Sequence, residues 1–136
     1  MFVRFVLGLL TLSCAAFAGD WSGFRGPNAS GIADSTVPPE FGPSTNVLWK
    51  TPMPLGSSSP VLTKDRVFVT GYEGSNLLTI CLNRADGKVL WRRSLEPSWK
   101  EKRHKLNTPS SATPVTDGEN VFAFFPEFGL ISYGSD

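Results

Sequence analysis

The feature that most constrains the fold is a set of short apolar segments that occurs twice in the same order. Residues 46–50 read NVLWK, and residues 88–92 read KVLWR. The pair Pro-Val at 60–61 recurs at 114–115, the pair Val-Phe at 67–68 recurs at 121–122, and residues 130–133 resemble residues 79–82. Several matches in one order indicate a repeated structural unit with a period of roughly 40–50 residues.

The residues between these matches favour β-structure. The chain has 13 Gly and 11 Pro in 136 residues, and no stretch shows sustained helical periodicity. Short apolar runs bounded by Gly, Pro, Asn and Asp predict strands at 47–50, 59–62, 66–70, 77–82 and 88–93, with an Asp86-Gly87 turn supplying positive φ angles. Four strands per unit at this period is typical of propeller blades. We therefore predict an all-β chain, a β-propeller of four-stranded antiparallel blades with about two to three blades present.

Two segments do not fit the regular period. Residues 96–107 (EPSWKEKRHKLN) are polar and charged, and we interpret them as a loop inserted between blades, a solvated connector rather than a binding patch. The first VLWK segment precedes the first complete set of four strands, so we expect it to close the ring with strands from the far end of the chain. Because about two to three blades cannot close a ring, we expect a fragment that is poorly stable alone.

The N-terminus has the three parts of a secretory signal peptide. In residues 1–18, Arg4 precedes a short apolar run, and an A-x-A pattern ends at Ala18. The apolar run is shorter than the about 20 residues that span a bilayer. We predict cleavage after Ala18 and a periplasmic or secreted protein. Lipoprotein processing at Cys14 is the weaker alternative, because Thr11 stands where a lipobox usually has leucine.

Removal of the signal leaves a balanced charge. Of 13 Lys and Arg and 12 Asp and Glu, only Arg4 leaves with residues 1–18, so the mature part has 12 of each sign. A net charge near zero predicts no nucleic-acid partner and no attraction to an anionic membrane. Cys81 then has no second cysteine and is interpreted as a small core residue. The mature part divides into a turn-rich segment, 19–46, and a partial propeller, 47–136.

Three segments resemble a known repeat family. These are the turn NRADG at 83–87 followed by VLW, the opening DWSGFRGPNASG at 20–31, and SSATPVTDG at 110–118. Together they resemble the pyrroloquinoline-quinone-like (PQQ-like) repeat of secreted bacterial β-propeller proteins, over essentially residues 20–136. The resemblance implies a propeller with tryptophans docking between neighbouring blades. It does not imply a bound quinone.

Four residues are predicted to be structural. Trp49 and Trp91 occupy equivalent places in the repeat and are assigned to packing between blades, whereas Gly87 and Gly118 follow aspartates and are assigned to turns. No residue is assigned to catalysis, to a cofactor or to a metal. The single histidine, His104, lies among lysines and an arginine; we interpret it as a solvated loop residue, with catalysis as the alternative.

These patterns give one leading hypothesis for function and two alternatives. The leading hypothesis is an exported propeller without cofactor that serves as a binding or scaffold module for a protein or small ligand on the propeller face. The first alternative is a quinoprotein oxidoreductase of the alcohol or sugar dehydrogenase type, which would need PQQ and calcium. The second is a lipoprotein resembling an outer-membrane-protein assembly factor, which lipidation of Cys14 would favour.

Overall fold

The computed structural model describes residues 20–136, so the predicted signal peptide lies outside the described residues. Within them, seven strands form two antiparallel sheets, β1-β2-β3-β4 and β5-β6-β7, with a short 3-10 turn near the start and no α-helix. The all-β prediction is confirmed, and the described strands form no closed ring. The elements are the 3-10 turn Pro27–Ala29, β1 (Val61–Leu62), β2 (Arg66–Glu73), β3 (Asn76–Asn83), β4 (Val89–Leu95), β5 (Val115–Thr116), β6 (Asn120–Phe125) and β7 (Gly129–Gly134).

The pairing of the strands reproduces the sequence repeat. Val61 of β1 lies opposite Phe68 of β2, and the equivalent Val115 of β5 lies opposite Phe122 of β6. The next strands, β3 and β7, are also equivalent, since each pairs with the strand before it in its own sheet. The hairpin of β6 and β7 is shorter than that of β2 and β3. The two sheets are therefore copies of one unit, although the first has four strands and the second has three.

The two sheets pack face to face. Phe68, Cys81 and Trp91 lie opposite one another on neighbouring strands, so their side chains share one face of the first sheet. They meet Val121 and Tyr133 of the second sheet. A second cluster extends the same interface along the strands. Its members are Leu77, Leu95, Ala123, Phe125, Phe128 and Ile131.

The opposite face of the first sheet is covered by the N-terminal segment. Val67, Ile80 and Leu82 form the centre of this face, and Trp49 packs on them. The prediction of a strand at residues 47–50 is wrong: no described strand pairs with them. A strand exists only with a hydrogen-bonded neighbour. The apolar sequence therefore docks its tryptophan on the sheet without joining it.

Residues 20–22 link the first strands of the two sheets. The backbone of Trp21 exchanges two hydrogen bonds with Leu62 of β1, each 2.9 Å long. The carbonyl of the next residue, Ser22, accepts a 2.9 Å bond from the N–H of Thr116 in β5. Both β1 and β5 are very short strands, so this segment adds a large share of the hydrogen bonds along their edges.

Three connections lie at the same end of the sheets. Successive turns of an antiparallel sheet alternate between its two ends. The β2–β3 turn and the connection that leaves β4 for β5 consequently lie at one end of the first sheet. The β6–β7 turn lies at the same end, because Glu127 in this turn accepts hydrogen bonds from that connection. We call this end the connector end. The predicted insert at 96–107 belongs to the connection between β4 and β5, which continues to residue 114.

Candidate functional site

The two predicted tryptophans make equivalent contacts in successive repeats. The indole N–H of Trp91 donates to the carbonyl of Ser135 (3.3 Å), and that of Trp49 donates to the carbonyl of Arg84 (2.9 Å). The two acceptors are themselves equivalent, because Arg84 directly follows β3 and Ser135 directly follows β7. Trp91 thus docks the first sheet on the second, and Trp49 makes the same contact on the outer face of the first sheet.

The predicted turn glycines have different surroundings. Gly87 has a φ of 72°, and an added Cβ would lie 2.6 Å from Cδ2 of Trp49 and 2.7 Å from Oγ1 of Thr51. Gly118 has a φ of 99° and open space around it. Gly118 thus serves a turn, whereas Gly87 also makes room for the indole. Asp86 does not share the positive φ predicted for the turn.

The connection after β4 is bound to the β6–β7 turn through Glu127. Its carboxylate is 2.5 Å from the guanidinium of Arg103 and accepts the N–H of Glu101 at 3.2 Å. Its main-chain carbonyl accepts the N–H groups of Ser98 (2.9 Å) and Trp99 (3.4 Å). The side chain of Glu127 is only 10% exposed. The segment predicted to be a solvated connector is nearly all exposed, as predicted, and Glu127 fixes it in place over the second sheet.

A cleft of about 560 Å³ lies at the connector end beside this contact. The indole of Trp99, 48% exposed, forms part of its wall. The charged residues that line it are three acidic and two basic, so the cleft carries one negative charge in excess. The lining comprises Gly74, Ser75, Glu96, Pro97, Trp99, Lys100, Glu101, Arg103, Pro109 and Glu127.

Elsewhere in the described part of the chain, burial and local hydrogen bonds shift four pKa values. Burial raises the pKa of the Cys81 thiol from 9.0 to about 11 and raises that of Tyr133, because both anions lose hydration between the sheets. At two exposed turns, backbone N–H groups lower the pKa of a carboxyl. The donors are Lys88 for Asp86, and Asn120 followed by Glu119 for Asp117. These shifts belong to the core and the turns, not to the cleft.

His104 lies outside the lining of the cleft. Its side chain is exposed, and its Nδ1 accepts the N–H of Leu106 at 3.3 Å within the same connection. In residues 20–136, no three His, Cys, Asp or Glu side chains converge as metal ligands would. The groups that converge are those of the cleft: an aromatic face, carboxylates and two cations, which suit binding of a charged or polar group.

The sequence interpretation missed Trp99 and Glu127 as site residues. Trp99 stands in a charged segment, and an exposed aromatic residue there is the one signal that could have indicated a contact surface. Glu127 stands between Pro126 and Phe128, in a turn where an acidic residue gives no indication of a contact. Its role depends on Arg103, a cation that lies much earlier in the chain and in a different connection.

Comparison with protein-family models, curated proteins and solved structures finds no match to this chain. None of the described residues forms a helix with the length and apolar character needed to cross a membrane.

Proposed function

We propose that this chain supplies blades of an exported β-propeller of the PQQ-like repeat type and binds a protein partner through the cleft at the connector end. The observation that carries the proposal is that connections from both sheets meet there and enclose one cleft. Propellers commonly place such loops around their binding face. The equivalent docking of Trp49 and Trp91 supports a stack of blades, since one contact recurs on successive units.

The charges of the cleft favour a basic side chain in the partner. Arg103 is already paired with Glu127, which leaves Glu96 and Glu101 facing one cation, Lys100. A lysine or arginine of a partner can pair with these carboxylates. It can also lie over the exposed indole of Trp99, a contact of about 0.5–1 kcal/mol at an exposed site. We infer that the cleft takes a basic segment of a protein.

Titration of the full chain with two peptides of equal length, one rich in arginine and one rich in glutamate, tests this proposal. Tryptophan fluorescence and calorimetry should show binding of the arginine peptide, weakened by salt. Trp99→Ala should lower the affinity about two- to fivefold, the equivalent of about 0.5–1 kcal/mol. Leu106→Ala, in the same connection but outside the cleft, is the matched control. Equal binding of both peptides, or full affinity in Trp99→Ala, would contradict the proposal.

Two measurements decide the remaining parts of the proposal. Stoichiometric quinone absorbance and dye-linked alcohol or sugar oxidation, after addition of PQQ and calcium, would replace the binding module by an oxidoreductase. Mass spectrometry of the mature protein should find Gly19 at the N-terminus. An acylated Cys14 would instead favour the assembly-factor lipoprotein.

A further inference from the structure

The carboxylate of Glu127 makes its contacts through only one of its two oxygens. Nη1 of Arg103 lies 2.5 Å from Oε1, and the N–H of Glu101 donates to the same oxygen at 3.2 Å. No described residue donates a hydrogen bond to Oε2. Because Glu127 lines the cleft at the connector end, this second oxygen is left for a donor that enters the cleft.

We propose that Oε2 of Glu127 binds the guanidinium of an arginine in the partner, so that Glu127 makes the cleft select arginine over lysine. This inference rests on the proposed function and names the residue type that the cleft takes. Arg103 keeps its place on Oε1, so the arginine of the partner adds to the ion pair and does not replace it.

The burial of Glu127 is the first argument for this assignment. Its side chain is 10% exposed, whereas that of Arg103 is 32% exposed. A charge that is largely withdrawn from water needs charged or hydrogen-bonding partners. A carboxylate can accept about four hydrogen bonds, and the contacts on Oε1 use only part of this capacity. The remaining capacity lies on the oxygen that the chain does not use.

The chain itself shows which cation this carboxylate accepts. The connection after β4 carries lysines at 100, 102 and 105, and among the described residues none of them pairs with Glu127, whereas Arg103 does. A guanidinium is more weakly hydrated than an ammonium, so it loses less on entering a buried site. The internal pair is therefore a model for the contact with the partner.

Trp99 adds a second reason for a planar cation. Its N–H donates to the main-chain carbonyl of Glu127 at 3.4 Å, and its half-exposed indole forms part of the cleft wall. The aromatic face and the buried carboxylate thus belong to the same cleft. A guanidinium stacks on an aromatic face while the N–H groups in its plane reach a carboxylate, which an ammonium does not do.

Calorimetry of the full chain with two peptides of equal length and charge, one containing arginines and the other lysines, tests this selection. Wild type should bind the arginine peptide about five- to tenfold more tightly, the effect of about one hydrogen bond to a charged group. Glu127→Gln should lower this ratio to about twofold, the share that stacking on Trp99 retains.

Arg103→Gln is the matched control for Glu127→Gln. It breaks the same ion pair and loosens the same connection, but it leaves the carboxylate in place, so the preference for the arginine peptide should remain. Circular dichroism checks that both variants keep their strands. A ratio that falls equally in both variants would show that Glu127 only holds the connection. That result overturns the proposal, as does a ratio near one in the wild type.

Two small cations separate failure of this inference from failure of the proposed function. Methylguanidinium should raise the melting temperature of Arg103→Ala, but not that of Arg103→Ala combined with Glu127→Gln, and methylammonium should raise neither. A rise with methylguanidinium, when neither peptide binds, supports the guanidinium site and refutes the protein partner. Tight binding of the arginine peptide that Glu127→Gln fully retains supports the proposed function and refutes the role of Glu127.

Discussion

Replacing Trp91 by alanine should weaken the contact between the two sheets by about 3 kcal/mol. The indole lies 6.0 Å from the ring of Phe68 and 5.9 Å from that of Tyr133, and each such aromatic pair is worth about 0.5–1.5 kcal/mol. Its N–H bond to Ser135 adds about 1 kcal/mol. Buried Trp→Ala replacements cost about 3–5 kcal/mol, and the partial exposure of this indole places the expected loss near the lower end, about 3 kcal/mol.

Urea unfolding of the variant and of the wild-type chain measures this loss. Trp91→Phe should keep the ring contacts and lose about 1 kcal/mol, the share of the N–H bond. Trp99→Ala, which removes a half-exposed indole from the cleft, should stay within about 0.5 kcal/mol of the parent. A loss below about 1 kcal/mol for Trp91→Ala, with an unchanged m-value, would refute the assignment of Trp91 as the contact that joins the sheets.

Three further predictions concern the turns, the core and the connection after β4. Gly87→Ala should cost about 2–4 kcal/mol in urea unfolding, because the new Cβ meets the Trp49 indole at a positive φ, whereas Gly118→Ala, with open space, should cost about 1 kcal/mol; equal losses would contradict the close approach. The raised pKa of Cys81 should lower the free energy of unfolding as pH rises from about 9 to about 11, since the unfolded chain ionises first, and Cys81→Ala should show a smaller alkaline loss. Glu127→Gln should speed amide hydrogen exchange at Glu101 severalfold while β-strand amides stay protected, and an unchanged rate at Glu101 would show that the carboxylate does not hold the connection.

The strands could be predicted from the sequence because their information is local and repeated. Short apolar runs between turn residues mark the strands, and the recurrence of the same segments indicates equivalent pairings in both sheets. The role of Trp91 also followed, since a large ring at a recurrent position is most simply a packing residue. The hydrogen bonds of the two indoles could not be foreseen, because their acceptors are main-chain carbonyls far away along the chain.

The sequence was insufficient where the outcome depends on a distant partner. Residues 47–50 have the composition of a strand, but composition does not supply the neighbouring strand that pairing requires. Residues 96–107 are polar and nearly all exposed, as predicted for a solvated connector. The sequence did not indicate that Glu127 fixes this connection by pairing with Arg103 and accepting its backbone N–H groups, in a contact that exists only after the second sheet has formed.

The hydrogen bonds of Trp21 and Ser22 have a consequence for handling the protein. Because these neighbouring residues bond to different sheets, the segment joins the edge of the first sheet to the edge of the second. A fusion at Asp20 that displaced Trp21 or Ser22 would break hydrogen bonds to both sheets, although it would touch neither apolar interface. A flexible spacer of several residues before Asp20 should leave these hydrogen bonds in place.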